Sequence, residues 1–117
     1  SVVDDQHGRP TWAPDLAAAL VDLAAQQCSG LFHFANAGAT TWFELASAVR
    51  DGALARGLPV KASVIRPIPT AAFPTPAARP RSSLLDTGKL ERALGKAPRP
   101  WRDTLPDFFS ALASAAR

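Results

Sequence analysis

The chain has 117 residues, room for one domain, and 47% of them are apolar, though many of these are alanines that bury little each. Thirteen Lys and Arg against ten Asp and Glu leave a net charge of +3, scattered without a lysine-rich run. That favours acidic partners such as phosphates weakly and gives no nucleic-acid footprint. One cysteine, Cys28, excludes an internal disulfide, and no apolar run approaches the ~18 residues of a membrane span, so a reducing, cytoplasmic location away from membranes is expected.

Val2 and Val3 read as the end of a strand. Asp4-Asp5-Gln6-His7-Gly8-Arg9-Pro10-Thr11 is a polar loop that either faces a ligand or is a solvated turn. Pro14 opens a helix, with Asp15 in the first turn and Leu16, Leu20 and Leu23 at helical spacing. The helix fades at Gln26-Gln27, and Cys28 beyond it is read as a small buried apolar residue. Leu31 to Ala35 is predicted as a strand, with His33 a structural residue within it, and Asn36 to Ala39 as a turn.

Thr41-Trp42-Phe43-Glu44 fits a capping box. The helix it opens buries Phe43, Ala46, Val49, Ala53 and Leu54, is weakened at Gly52 by about 1 kcal/mol relative to alanine, and stops at Gly57. An edge strand is expected over 61–69 because Pro67 and Pro69 cannot donate to a ladder. Asp86 is predicted to cap a short helix from Thr87 to Leu94 that ends at Gly95. A final helix, capped by Asp103 or Thr104, carries Leu105, Phe108, Phe109 and Leu112 on one face. Trp12, Trp42 and Trp101 are read as core cover. The expectation is an α/β lobe of about four helices and two or three short strands, too few to form an independent sheet.

Between these elements lies Phe73 to Asp86, with three prolines, two arginines and two serines in fourteen residues. Its prolines rule out a helix or a central strand. Phe73, Leu84 and Leu85 are expected to anchor its ends in apolar surface. A stiff loop of this kind suits guanidinium groups held against an anion, which makes Arg79, Arg81, Ser82 and Ser83 candidates, supported by Gln6 and Arg9. Other chemistries are absent from the sequence: His7, Cys28 and His33 have no metal spacing, and there is no Walker loop, Gly-x-Gly-x-x-Gly turn or Gly-x-Ser-x-Gly elbow.

Three ordered stretches carry a resemblance. Val3-Asp4-Asp5-Gln6-His7-Gly8-Arg9-Pro10-Thr11, continuing to Asp15-Leu16-Ala17, is the first. Gly30-Leu31-Phe32-His33-Phe34 with Thr41-Trp42-Phe43-Glu44-Leu45-Ala46 is the second. Phe73-Pro74-Thr75-Pro76-Ala77-Ala78-Arg79-Pro80-Arg81-Ser82-Ser83-Leu84-Leu85-Asp86-Thr87-Gly88-Lys89-Leu90 is the third. Together they resemble the dTDP-4-dehydrorhamnose reductases, extended short-chain dehydrogenase/reductases. Phe73 stands where a tyrosine is common, and Ser82 where an asparagine is common.

The resemblance implies that residues 1–117 are the C-terminal, nucleotide-sugar-binding domain, with the N-terminal Rossmann domain missing from this chain. An opening on Ser1 with no methionine fits the same expectation of a fragment. It implies substrate contacts from Arg79 to the diphosphate, with Gln6, Gly8, Arg9, Ser82 and Ser83 along the nucleotide. No catalytic residue is expected here, because the proton-delivering Tyr-x-x-x-Lys pair belongs to the N-terminal part and this chain has no tyrosine. The family's activity is NADPH- or NADH-dependent reduction of the 4-keto group of dTDP-6-deoxy-L-lyxo-4-hexulose to dTDP-L-rhamnose. The implied partners are the dTDP-sugar, the Rossmann domain and, for the full enzyme, Mg2+ and a second subunit as a homodimer. The fragment alone is expected to be inactive. The competing reading is a non-catalytic regulatory or nucleotide-binding module of the same superfamily.

Overall fold

The computed structural model describes residues 1–115. Its elements run β1 (Val2–Val3), β2 (His7–Gly8), α1 (Ala13–Ala25), β3 (Thr40–Thr41), α2 (Trp42–Leu54), β4 (Pro67–Ile68), α3 (Gly88–Leu94) and α4 (Leu105–Ala115), with 3-10 turns at Thr70–Ala72 and Trp101–Thr104. The four helices are those expected from sequence. The strands are four rather than two or three, each of two residues, in two separate ribbons.

β1 pairs in parallel with β4, and β2 pairs antiparallel with β3. The first ribbon accommodates Pro67 because Val2 N–H and Asp4 N–H donate to the carbonyls of Arg66 and Ile68, so no N–H is asked of the proline. The longer strand predicted over 61–69 therefore shrinks to Pro67–Ile68. The strand predicted over Leu31 to Ala35 does not form. No described segment forms a ladder with it, and Leu31 stays exposed while Ala35 is buried.

The capping box of α2 forms as predicted: Thr41 Oγ1 accepts from Glu44 N–H, and Glu44 Oε2 accepts from Thr41 N–H. Gly57 closes α2 at φ +67°, and Gly95 closes α3 at φ +66°. Asp86 is not the cap expected of it: α3 starts one residue later, with Thr87 at the N-cap and no side-chain capping bond, and Asp86 Oδ1 accepts from Gly88 N–H at 2.7 Å from just before the helix. Neither Asp103 nor Thr104 caps α4. A 3-10 turn runs straight into that helix, and Thr104 Oγ1 instead donates to the Trp101 carbonyl.

The core is thin. Its buried apolar members are Val3, Ala19, Ala35, Leu90, Trp101 and Phe109. Leu20, placed on the buried face by its spacing, is exposed, because α1 packs against α3 on its Ala19 side and nothing described covers Leu20. Leu54 and Leu112 are likewise exposed, and Cys28 is only half-buried. The radius of gyration is 16.5 Å, well above the ~13 Å of a compact domain of this length. The elements spread around a cleft instead of closing on a single centre.

α2 and α4 cross at Gly52, where a Cβ would lie 2.5 Å from Phe109 Cε2. The glycine that weakens the helix locally is thus the place where the buried Phe109 ring seats. Asn36, read as a turn residue, is fully buried. Its Oδ1 accepts from Trp12 N–H, and its Nδ2 donates to Asp15 Oδ2 and to the Arg99 carbonyl. Arg99 closes the knot with a bidentate pair to Asp15 and a further ion pair to Asp107 on α4.

A candidate ligand-binding cleft built on the arginine loop

The two ribbons and the arginine loop enclose a cleft of about 720 Å³. This is ample for a drug-sized or nucleotide-sized ligand. The central device is His7. Its N–H donates to the Arg81 carbonyl, and its carbonyl accepts from Ser83 N–H. The same residue pairs with Thr41 across β2–β3. One short strand thus binds the loop on one side and the start of α2 on the other. Phe73, Leu84 and Leu85 do not anchor the loop in apolar surface as expected; all three are exposed. The backbone pairing to His7 holds it instead.

Arg79, Gln6, Gly8, Arg9 and Ser83 all line this cleft. Residues 6–9 and 79–83 are far apart in sequence, and the bridge through His7 brings them together. Arg81 and Ser82 are not in the lining, although Ser82 takes part in the bridge to His7. Among the described residues no carboxylate forms an ion pair with Arg79, so its charge is not neutralised within the lobe. Gly8 allows the loop to approach: a Cβ there would stand 3.2 Å from Ser83 Oγ. Arg9 is partly committed, since Nη1 donates to the Leu85 carbonyl and, at 3.4 Å, to Thr87 Oγ1. It braces the far end of the arginine loop, while its buried Nε has no partner among the described residues.

Sequence reasoning missed part of the wall. Trp42, read as core cover, is 59% exposed and faces the cleft, as does Phe73 at 57%. Trp12 and Trp101 do cover core, half-buried and buried respectively. The signal for Trp42 was available: it directly follows the cap Thr41, at the first turn of a helix, where a side chain has little of its own helix to pack on. Thr40 and Thr41 also line the cleft, and Thr41 Oγ1 donates to Asp4 Oδ1 at 2.5 Å. His33 is exposed and lies outside the cleft lining.

Three carboxylates are held below their ordinary values by hydrogen bonds. The Thr70 side chain does this for Asp5; the Arg99 side chain, followed by Asn36, for Asp15; and the Thr40 side chain with Thr41 N–H for Glu44. A lowered folded value contributes stability above the unfolded value and loses it as pH falls through the folded one. The urea midpoint is therefore expected to be flat from neutral pH to about 5 and to drop towards about pH 3. A midpoint unchanged at the acid end contradicts these networks.

No three His, Cys, Asp or Glu side chains converge as a metal site among the described residues. No described helix is long and apolar enough to cross a membrane.

Comparison with known proteins matches this architecture. The family model described as RmlD substrate binding domain covers residues 1–114. The chain is 39% identical over 120 residues to dTDP-4-dehydrorhamnose reductase of Streptomyces griseus, covering 98% of this chain and 38% of that protein. Among solved structures, dTDP-4-dehydrorhamnose reductase of Clostridium acetobutylicum superposes with a TM-score of 0.83 at 32% identity, covering 96% of this chain and 38% of the other. The Bacillus anthracis reductase in complex with NADP gives 0.78 at 31% identity, covering 94% and 37%. The chain thus spans well under half the length of the relatives it matches, and with the match running over 1–114 it belongs to the RmlD substrate binding domain family.

Proposed function

We propose that this chain is the nucleotide-sugar-binding part of a dTDP-4-dehydrorhamnose reductase, which reduces the 4-keto group of a dTDP-6-deoxy-4-hexulose with NADPH. The observation that carries this reading is the convergence of Arg79 with Gln6, Gly8, Arg9 and Ser83 on one cleft. The Arg79 guanidinium offers a planar fork of donors suited to a diphosphate. Trp42 and Phe73 offer apolar faces to a base or sugar. Ser82 stays at the margin, as a bridge residue behind the lining.

The division of labour follows from what the chain holds. It binds and orients the substrate. It offers no fit for the nicotinamide cofactor, because it has no Gly-x-Gly-x-x-Gly turn, and with no tyrosine it lacks the proton-delivering pair. NADPH, the hydride and the proton are assigned to the remaining part of a longer protein, as is any Mg2+ or dimer contact. The Bacillus anthracis relative was solved in complex with NADP, which supports NADPH as the cofactor of the longer protein.

The test is titration of dTDP-sugar onto the intact protein and its Arg79→Ala variant. Loss of a charge-assisted bidentate contact is expected to weaken binding about 10- to 100-fold. Equal affinity removes the diphosphate role. The parallel Arg81→Ala variant is expected to bind within about 3-fold of the parent, since its side chain lies outside the cleft lining.

A further inference from the structure

Gln6 lines the cleft, but its amide can present either an acceptor or a donor to whatever binds there. Thr70 decides which. It lies in a 3-10 turn outside the cleft lining, 64 residues along the chain, and its Oγ1 accepts from Gln6 Nε2 at 3.1 Å. The same Oγ1 donates to Asp5 Oδ1 at 2.5 Å, and Thr70 N–H donates to that oxygen at 2.8 Å.

A threonine hydroxyl has one proton, and an ionised carboxylate can only accept. The proton is therefore committed to Asp5. Only lone pairs remain towards Gln6, and only the amide N–H can meet them. A flipped amide would set Gln6 Oε1 against the Thr70 oxygen, acceptor against acceptor, with no proton between them.

We propose that Thr70 is a positioning residue for the ligand site. Held by Asp5, it locks the Gln6 amide so that Oε1 is free to accept from an N–H or O–H of the bound nucleotide-sugar. This rests on the reading of the cleft as a nucleotide-sugar site. It adds a residue that does not touch the ligand and assigns the cleft a polarity at Gln6 that its lining alone leaves open.

The test uses the intact protein and dTDP-sugar, with affinity read by calorimetry and folding by circular dichroism. Thr70→Val keeps the shape and removes the hydroxyl; it is expected to weaken binding about 3- to 10-fold. Thr70→Ser restores the hydroxyl and is expected to bind within about 2-fold of the parent. In a Gln6→Ala background, Thr70→Val is expected to add no further loss, because Thr70 acts only through Gln6. Thr70→Ala, read by the same cycle, serves if Thr70→Val does not fold. Parental affinity for Thr70→Val, or losses that simply add to those of Gln6→Ala, overturns the proposal. If that happens while Arg79→Ala still weakens binding, only the positioning role fails. If Arg79→Ala is also without effect, the nucleotide-sugar reading of the cleft has failed.

Discussion

Replacing Asn36 with alanine will destabilise the chain by about 3 kcal/mol, a large share of the stability of a domain this size. Asn36 is fully buried and uses both ends of its amide. Alanine removes the acceptor from Trp12 N–H and the donor to Asp15 and the Arg99 carbonyl. Groups left without partners inside a protein cost more than a hydrogen bond returns when it is made. The effect reaches the cleft, because Asn36 N–H also donates to the Pro10 carbonyl, and Pro10 lies in the cleft wall. Asn36→Asp should fail as well. It keeps an acceptor for Trp12 but sets a carboxylate where the amide now sits, 2.7 Å from Asp15 Oδ2. Urea denaturation of the three proteins at neutral pH measures this. An Asn36→Ala midpoint within about 1 kcal/mol of the parent would show that the knot is not a stabilising centre.

Gly52→Val will cost about 2–3 kcal/mol, and Gly52→Ala a smaller amount, even though alanine gains about 1 kcal/mol of helix propensity over glycine. The sign is set by Phe109. Its ring occupies the space a Cβ would need, and the ring is itself buried. It is hemmed in by the edge of Phe108 at 5.2 Å between centroids and by the Arg56 guanidinium at 4.5 Å. A ring so placed cannot swing aside freely, so α2 and α4 must separate. α2 starts at Trp42, in the cleft wall, so the displacement is expected to weaken ligand binding as well as stability. A Phe109→Leu background removes the offending ring edge and should reduce the penalty of Gly52→Ala. Strict additivity in that double-mutant cycle, or a stabilising Gly52→Ala, would sink the account.

The shape of the lobe bears on how the cleft works. The wall is made of short segments that are poorly packed one by one: two-residue strands, an exposed proline loop and the first turn of a helix. They hold their places through a few long-range hydrogen bonds, from His7 to Arg81 and Ser83, from Thr41 to Asp4, and from Thr70 to Asp5. Such a site depends on its backbone bridges more than on buried area. That is why substitutions outside the lining, at Thr70 and Asn36, are expected to register in it.

The local signals in the sequence were sufficient at several helix ends, though not at the starts of α3 and α4, where the expected caps Asp86 and Asp103 or Thr104 do not form. The capping box at Thr41 and Glu44 and the stops at Gly57 and Gly95 all concern groups within one turn of the chain. The candidate cluster of Gln6, Gly8, Arg9, Arg79 and Ser83 was legible as well, from loop chemistry and from the resemblance. Tertiary structure alone decided the rest. Leu31 to Ala35 has the composition of a strand, but a strand exists only when another backbone meets its N–H and C=O groups, and none described here does. Leu20 has helical spacing, but burial needs a neighbouring element over that face. The depth of Asn36 and the fit of Phe109 against Gly52 arise from contacts between residues tens of positions apart. So does the separation of Arg79, in the cleft, from Arg81, two residues on but outside its lining. That last distinction comes from His7, whose backbone fixes which way the loop turns.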